Sequence, residues 1–441
     1  MLSKTRPTLA SRENTSSGFA PLAPEGDGDT CHLARVLLVT LVAFIIAALS
    51  RPVSAEQTPG QIGWQHRPGH RGIEVAVVNT TDIFINARGG SRPEAGISNL
   101  IEMALSFDLA TLVGLEGGSI YLLGLGTHGS DPADAVGAVH APSNLAATDA
   151  FRLFELWYEH RLLDDKVAAL VGLFAVDSEF DAKSTADLFI NGGFGTGLDL
   201  SETGRNGPSI FPVTSFGMRL RMQPAPGWSV QAAVLDGVPG DPDDPDATTI
   251  RFGDGDGVFA IAEGNFESSG PMRLRLGFGG WRYTTDLEDV AATRADGKPV
   301  VRGGSSGLYG FVEASLYAEP GGFGQGLAGY LRLGRADADT NRFGGYYGAG
   351  LVYTGLLPGR DRDMAGFGIS SAVNGAPFRD RQRQLGAGVD TAETVFEWTY
   401  RAELRPSISL QPVIQYLLNP DTDPGLRDSL ALGLRIGIDL L

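Results

Sequence analysis

The stretch Ser429 to Leu441, SLALGLRIGIDLL, reads as a β-strand whose two faces meet different solvents. Side chains alternate along a strand, so Leu430, Leu432, Leu434, Ile436, Ile438 and Leu440 form one face. Ser429, Gly433, Arg435, Gly437 and Asp439 form the other. Apolar outside and polar inside is the pattern of a transmembrane β-barrel strand. A half-buried strand of a soluble sandwich alternates in the same way, so one segment does not separate the two readings. Repetition along the chain does. On the barrel reading Leu434→Arg is costly and Gly433→Ser mild.

About sixteen segments of roughly ten residues alternate or concentrate β-branched and aromatic residues. They run near 73 to 86, 98 to 109, 118 to 128, 150 to 162, 166 to 177, 212 to 223, 228 to 236, 258 to 266, 271 to 284, 306 to 318, 325 to 336, 344 to 356, 363 to 372, 392 to 404, 407 to 417 and 428 to 440. Their connections alternate in length. Tight turns at Leu163 to Asp165, Pro224 to Gly227, Glu267 to Gly270 and Arg405-Pro406 separate long loops near 129 to 149, 178 to 211, 237 to 257, 285 to 305 and 373 to 391. Short periplasmic turns opposite long extracellular loops are the outer-membrane plan, and an even strand count returns both ends to the periplasm. The expected fold is an all-β transmembrane antiparallel barrel of about sixteen strands over 73–441. No fixed-period repeat points to a propeller or β-helix.

The faces separate cleanly in several segments. Phe216, Met218, Leu220 and Met222 oppose Ser215, Gly217, Arg219, Arg221 and Gln223; Phe396, Trp398, Tyr400 and Leu404 oppose Glu393, Glu397, Thr399, Arg401 and Glu403. The first set of each pair is expected to meet lipid, with Trp228, Trp398 and Tyr400 as interfacial girdle candidates. Arginines and glutamates on one inward face argue for a water-filled interior, because burying unpaired charge is costly.

The chain has 441 residues, a formal net charge of -17 and 61 glycines, so it is too long for one ordinary soluble core and too acidic for a nucleic-acid partner. Beyond position 50 no apolar run is long enough for a spanning helix. The single cysteine, Cys31, precedes the expected mature start, which excludes disulfides and thiolate chemistry from the mature chain. Residues 36 to 49, VLLVTLVAFIIAAL, behind Arg35 and before the small residues Val53-Ser54-Ala55, form a secretory signal with a cut at Glu56. A permanent anchor helix is the alternative. The expected organisation is therefore a signal with a long N-terminal extension at 1–55, a periplasmic segment at 56–72 and the barrel. Acidic residues before Arg35 place the true start nearer His32.

Five stretches in order along the predicted strands and turns carry a resemblance: Phe154 to His160 (FELWYEH), Leu276 to Thr284 (LGFGGWRYT), Gly350 to Asp363 (GLVYTGLLPGRDRD), Glu393 to Tyr400 (ETVFEWTY) and Gln411 to Pro420 (QPVIQYLLNP). With them the chain resembles the carbohydrate-selective porin (OprB) family of bacterial outer membranes, from about Gly72 to the end. The resemblance implies a sixteen-stranded barrel that lets glucose and similar monosaccharides diffuse inward passively, without cofactor and without enzymatic activity. It also implies outer-membrane lipid and lipopolysaccharide as surroundings, insertion by the barrel-assembly machinery, and a monomer or loose oligomer. Two departures stand out. The chain ends on Leu441 rather than an aromatic residue, and Leu173 follows Gly172 where the family often has lysine.

A sugar presents hydroxyls all round and a weakly apolar ring face, so a selective channel needs an aromatic surface beside groups that donate and accept hydrogen bonds. In 152 to 162, Phe154, Leu156, Tyr158 and Leu162 are assigned to lipid, leaving Glu155, Trp157, Glu159 and Arg161 inward. Further pore-lining candidates are Arg219, Arg221, Arg273, Arg275, Trp281, Tyr330, Arg332, Glu397, Arg401, Gln415 and Arg435. Asp187, Asn191 and Phe194, on the Gly-rich loop 178 to 211, are candidates for a constriction if that loop folds inward; the alternative is a surface loop. A solvated wall that never touches substrate remains the plain reading of the charges. A general diffusion porin without sugar selectivity is the second functional reading.

Other motifs point to solvated segments. His66 and His70 flank Pro68 and Gly69, which break the helix that would align them on a metal. Asp254-Gly255-Asp256-Gly257 lacks the later ligands of a calcium loop, and with Asp241, Asp243, Asp244 and Asp246 it reads as an acidic surface. No metal or cofactor site is expected.

Overall fold

The computed structural model describes residues 72–441 apart from 271, 322 and 323. The expected signal, the segment that follows it up to residue 71, and His66 and His70 lie outside the described residues. Sixteen antiparallel strands close into one barrel. In chain order they are β1 Ile73–Gly90, β2 Ala95–Asp108, β3 Gly118–Gly129, β4 Ala150–Leu162, β5 Val167–Phe174, β6 Ser215–Ala225, β7 Trp228–Asp236, β8 Val258–Glu267, β9 Leu274–Thr293, β10 Pro299–Ala318, β11 Gly326–Ala336, β12 Phe343–Thr354, β13 Met364–Asn374, β14 Ala392–Arg405, β15 Ile408–Leu418 and β16 Arg427–Asp439. Each strand pairs with its sequence neighbours, and β1 closes on β16 with Asp82 opposite Arg435. Closure leaves no strand edge, which hydrocarbon cannot satisfy.

The outer face follows the alternation of the sequence. Met218, Leu220 and Met222 on β6, Leu276 and Phe278 on β9, and Leu331 and Leu333 on β11 are exposed, and Met218 keeps 60% of its surface open. So wide a band of exposed apolar side chains is stable only against lipid. Trp228 is exposed beside the short β6–β7 turn, with its ring 5.0 Å from that of Phe266. Among the described residues no helix is long and apolar enough to cross a membrane.

Four expectations are corrected. Phe154 does not face lipid. The β3–β4 register slips between Leu123 and Gly124, leaving Phe154 as the extra residue of a bulge, so Phe151 points outward and Phe154 packs inside, 6.3 Å from Phe211. Most of the stretch 285 to 305 is not a loop, because β9 continues past its last pairing with β8 at Tyr283. Thr285, Leu287 and Asp289 are buried there while Asp286 and Glu288 are exposed, an alternation that charge disguises.

Nor is the interior mainly water. Four apolar clusters lie inside the wall, where loops packed into the barrel meet inward side chains. Phe180 and Leu200 pack with Phe259, Trp281, Tyr283 and Tyr309. Leu188, Phe189, Ile190 and Phe194 pack with Phe84, Tyr330, Val352 and Val395. The wall makes room with glycine: Tyr309 and Phe311 lie over Gly279 and Gly277, where any Cβ would enter the rings. The same holds for Gly433, whose Cβ would stand 2.6 Å from the buried Phe84 ring, so a side chain at that position is not mild.

Candidate functional site: a lumen narrowed by tethered loops

The segment between β5 and β6 folds into the barrel, and its backbone amides need acceptors there. Inward-facing glutamates supply them. Glu263 of β8 accepts from Asp181 N at 2.7 Å and from the Tyr309 hydroxyl at 2.6 Å. Glu313 of β10 accepts from Thr185 N at 2.7 Å and pairs with Arg275 at 3.1 Å. Glu397 of β14 takes Ile190 N at 2.8 Å and Asn191 N at 2.9 Å. Two pleat repeats away on the same face, Glu393 takes Val139 N at 3.0 Å and His140 N at 2.6 Å, which ties down the β3–β4 loop as well. His140 also holds Glu393 Oε1 through Nδ1 at 2.7 Å and Ser370 through Nε2 at 3.0 Å.

Charge pairs complete the tether. Arg332, fully buried on β11, binds Asp181 and Asp199 of the loop, with its guanidinium 4.7 Å from the Tyr346 ring centre. Arg435 grips Asp82 with two 2.7 Å hydrogen bonds and reaches Asn144 of the β3–β4 loop at 2.6 Å. Gln415 accepts from Asn191 Nδ2 at 3.1 Å and donates to Pro142 O at 2.8 Å, joining both loops.

The alternation places the candidates on the inner face, but the loops then divide them. Glu155, Trp281, Tyr330, Arg332, Glu397, Gln415, Asn191 and Phe194 are buried and serve the loop packing; they are not open to a passing solute. Glu155 accepts from Trp157 Nε1 at 2.9 Å and from Ala175 N at 3.1 Å. Arg219 is also buried, between Glu159 at 2.8 Å and Glu179 at 2.9 Å. The candidates with open surface are Trp157, Glu159, Arg161, Arg221, Arg273, Arg275, Arg401, Arg435 and Asp187. Trp157 lies half-buried with its ring 5.1 Å from Tyr121, while Arg161 and Glu159 are 3.3 Å apart on the same face of β4.

Below the loop a polar cavity of about 990 Å³ reaches the periplasmic turns at Gly227 and Glu267. Arg221, Arg273 and Arg275 line it together with Glu179, Asp187 and Glu313. The tip of Asp187 is open to the lumen, while the protein packed around its base desolvates the carboxyl. That desolvation, with the nearby Glu313 carboxylate, pushes its carboxyl up to about 7 against the pull of Lys183, Arg401 and Arg275.

Sequence reasoning missed Asp82, Arg152, Glu263, Glu313 and Gln411, and it placed Glu393 inward without making it a site candidate. Glu263 and Glu313 stand on the inward parity of β8 and β10, so that signal was present; His140, on a loop, had none. Among the described residues no three His, Asp or Glu side chains converge as a metal ion requires. In the acidic loop Asp241 pairs with Arg251 at 3.0 Å, and Asp256 accepts Gly253 N at 2.6 Å.

A closed, lipid-facing barrel whose polar lumen is narrowed by tethered loops is a bacterial outer-membrane porin. Residues 96–440 match the sequence profile of the carbohydrate-selective porin, OprB family, and the chain belongs to that family. It is similar to Porin B of Pseudomonas aeruginosa, 23% identical over 317 residues that cover 65% of this chain and 67% of that one. Among solved structures, the high-pH form of Pseudomonas putida OprB superposes with a TM-score of 0.77 at 17% identity, covering 84% of this chain and 94% of that one. Its low-pH form gives 0.53 at 13% identity, covering 84% and 93%. The outer-membrane channel DcaP of Acinetobacter baumannii shares the fold at 0.52 and 10% identity, covering 83% and 97%.

Proposed function

We propose that this carbohydrate-selective porin passes monosaccharides such as glucose, by diffusion alone, along the gap between the loop tip at Asp187 and the inner wall. The observation that carries the reading is the trio on β4: the Trp157 ring, backed by Tyr121, beside the ion-paired Glu159 and Arg161. A ring face for the sugar's apolar side and paired donor and acceptor groups for its hydroxyls follow one another along the inner face of a single strand. Arg221, Arg273, Arg275, Arg401, Arg435 and Asp187 extend the polar path. The protein acts without catalysis or cofactor, is exported by the 1–55 signal, is inserted by the barrel-assembly machinery and works as a monomer or loose oligomer. Planar-bilayer recording tests the central claim: glucose reduces the open-channel current reversibly and with saturation. A current indifferent to glucose up to high concentration selects the general diffusion reading, which Arg221 and Arg273, without an ion-pair partner among the described residues, favour with a lean toward anions.

A further inference from the structure

On the outer wall, a cleft of about 1110 Å³ opens at the extracellular end of β7 to β11. Outward positions around it carry large side chains such as Val230, Val234, Phe278 and Leu308, but here Ala232, Ala262 and Gly280 stand side by side across three paired strands, with Ala260 beside them. Small residues set the wall back by a side chain's depth, so the cleft is apolar below. Its upper rim is cationic. Arg282 and Arg335 are exposed on the outward parity of β9 and β11, on either side of β10, and among the described residues neither has an ion-pair partner. The helix Ala376–Gln384 edges the cleft with Ala376 and Pro377, and two residues on the buried Arg379 Nε has no hydrogen-bond partner. Asp337, also at the rim, turns its Oδ1 to its own loop, accepting from Asp339 N at 3.0 Å.

We infer that this cleft binds a phosphorylated, acylated lipid of the outer leaflet, lipopolysaccharide in its lipid A portion, with acyl chain along the small residues and phosphate at Arg282 and Arg335. The charge argument is specific. In a chain of net charge -17, two guanidiniums without an ion-pair partner among the described residues face outward directly above a groove lined by small apolar residues. Arginine's planar fork suits phosphate, and the low dielectric at the hydrocarbon edge strengthens the pairing.

The test is native mass spectrometry of the full barrel, delipidated in detergent and titrated with bis-phosphorylated lipid A. The wild type binds one molecule; R282Q/R335Q binds at least tenfold more weakly, and A262F, which fills the groove, does the same. Both variants keep heat-modifiable gel mobility and wild-type conductance, which shows that the barrel is intact. Unchanged binding in the double variant or in A262F overturns the proposal. So does equal binding of phosphatidylglycerol or fully dephosphorylated lipid A, or displacement of the lipid by millimolar inorganic phosphate.

Discussion

Arg332 of β11 and Asp181 of the infolded loop lie 3.0 Å apart, with neither side chain reaching solvent. Asp181 also holds the buried Lys183 at 2.9 Å, and Asp199 shares Arg332, so two carboxylates balance two cations inside the barrel. Removing one partner of a buried pair leaves the other charge desolvated, which costs about 3–5 kcal/mol. Asp181→Ala is therefore expected to destabilise the barrel by about that amount and to raise both open-channel conductance and current noise as the loop loosens. Urea unfolding in detergent and single-channel recording measure the two effects. A variant with unchanged conductance removes this pair from the constriction's support.

Trp157 is the aromatic surface with which the sugar path begins. Its loss by Trp157→Ala forfeits a stacking contact worth about 1 kcal/mol, so the glucose concentration for half-block rises by roughly fivefold. Since Trp157 also supports two apolar clusters, Trp157→Phe serves as the control for packing. It is expected to restore most of the block. Equal block in wild type and Trp157→Ala removes this ring from the path.

On β16 the two faces predict opposite mechanisms of damage. Leu434→Arg puts a charge into hydrocarbon and is expected to cost about 2–4 kcal/mol near the bilayer midplane, less toward the interface. Gly433→Ser acts from inside, where the new side chain meets Phe84 and Val413, both buried. Overpacking of this kind costs typically about 1–3 kcal/mol. Folding titrations into lipid vesicles distinguish them: the penalty of Leu434→Arg changes with lipid thickness, and that of Gly433→Ser does not.

Strand number, closure and outward faces were legible because lipid imposes a period-two code that a chain must obey on every strand. Phe154 was misread because a bulge shifts that parity by one residue and leaves no mark in composition. The lumen was only half legible. Alternation says which side chains point inward, and Arg332, Glu397 and Gln415 do. It does not say that Asp181, Ile190 and Asn191 will arrive from a distant loop to cover them. Whether an inward charge faces water or holds a loop depends on contacts far apart in sequence, which periodicity does not encode.

Asp187 offers a readout of the lumen that does not depend on sugar. Its carboxyl titrates at about 7 because enclosure and Glu313 disfavour the charged form. Below that pH the loop tip is neutral beside Arg221, Arg273, Arg275 and Arg401; above it, one further negative charge stands among them. Reversal potentials in a salt gradient are therefore expected to shift toward cations as pH rises from about 6 to about 8, the span of one group with that midpoint. Asp187→Asn is expected to lose most of that shift, keeping only what Asp177 of the same cavity, its carboxyl pushed up to about 6 by burial, contributes at the acid end. A wild-type shift that survives undiminished in Asp187→Asn assigns the titration to another group and removes Asp187 from the conducting path.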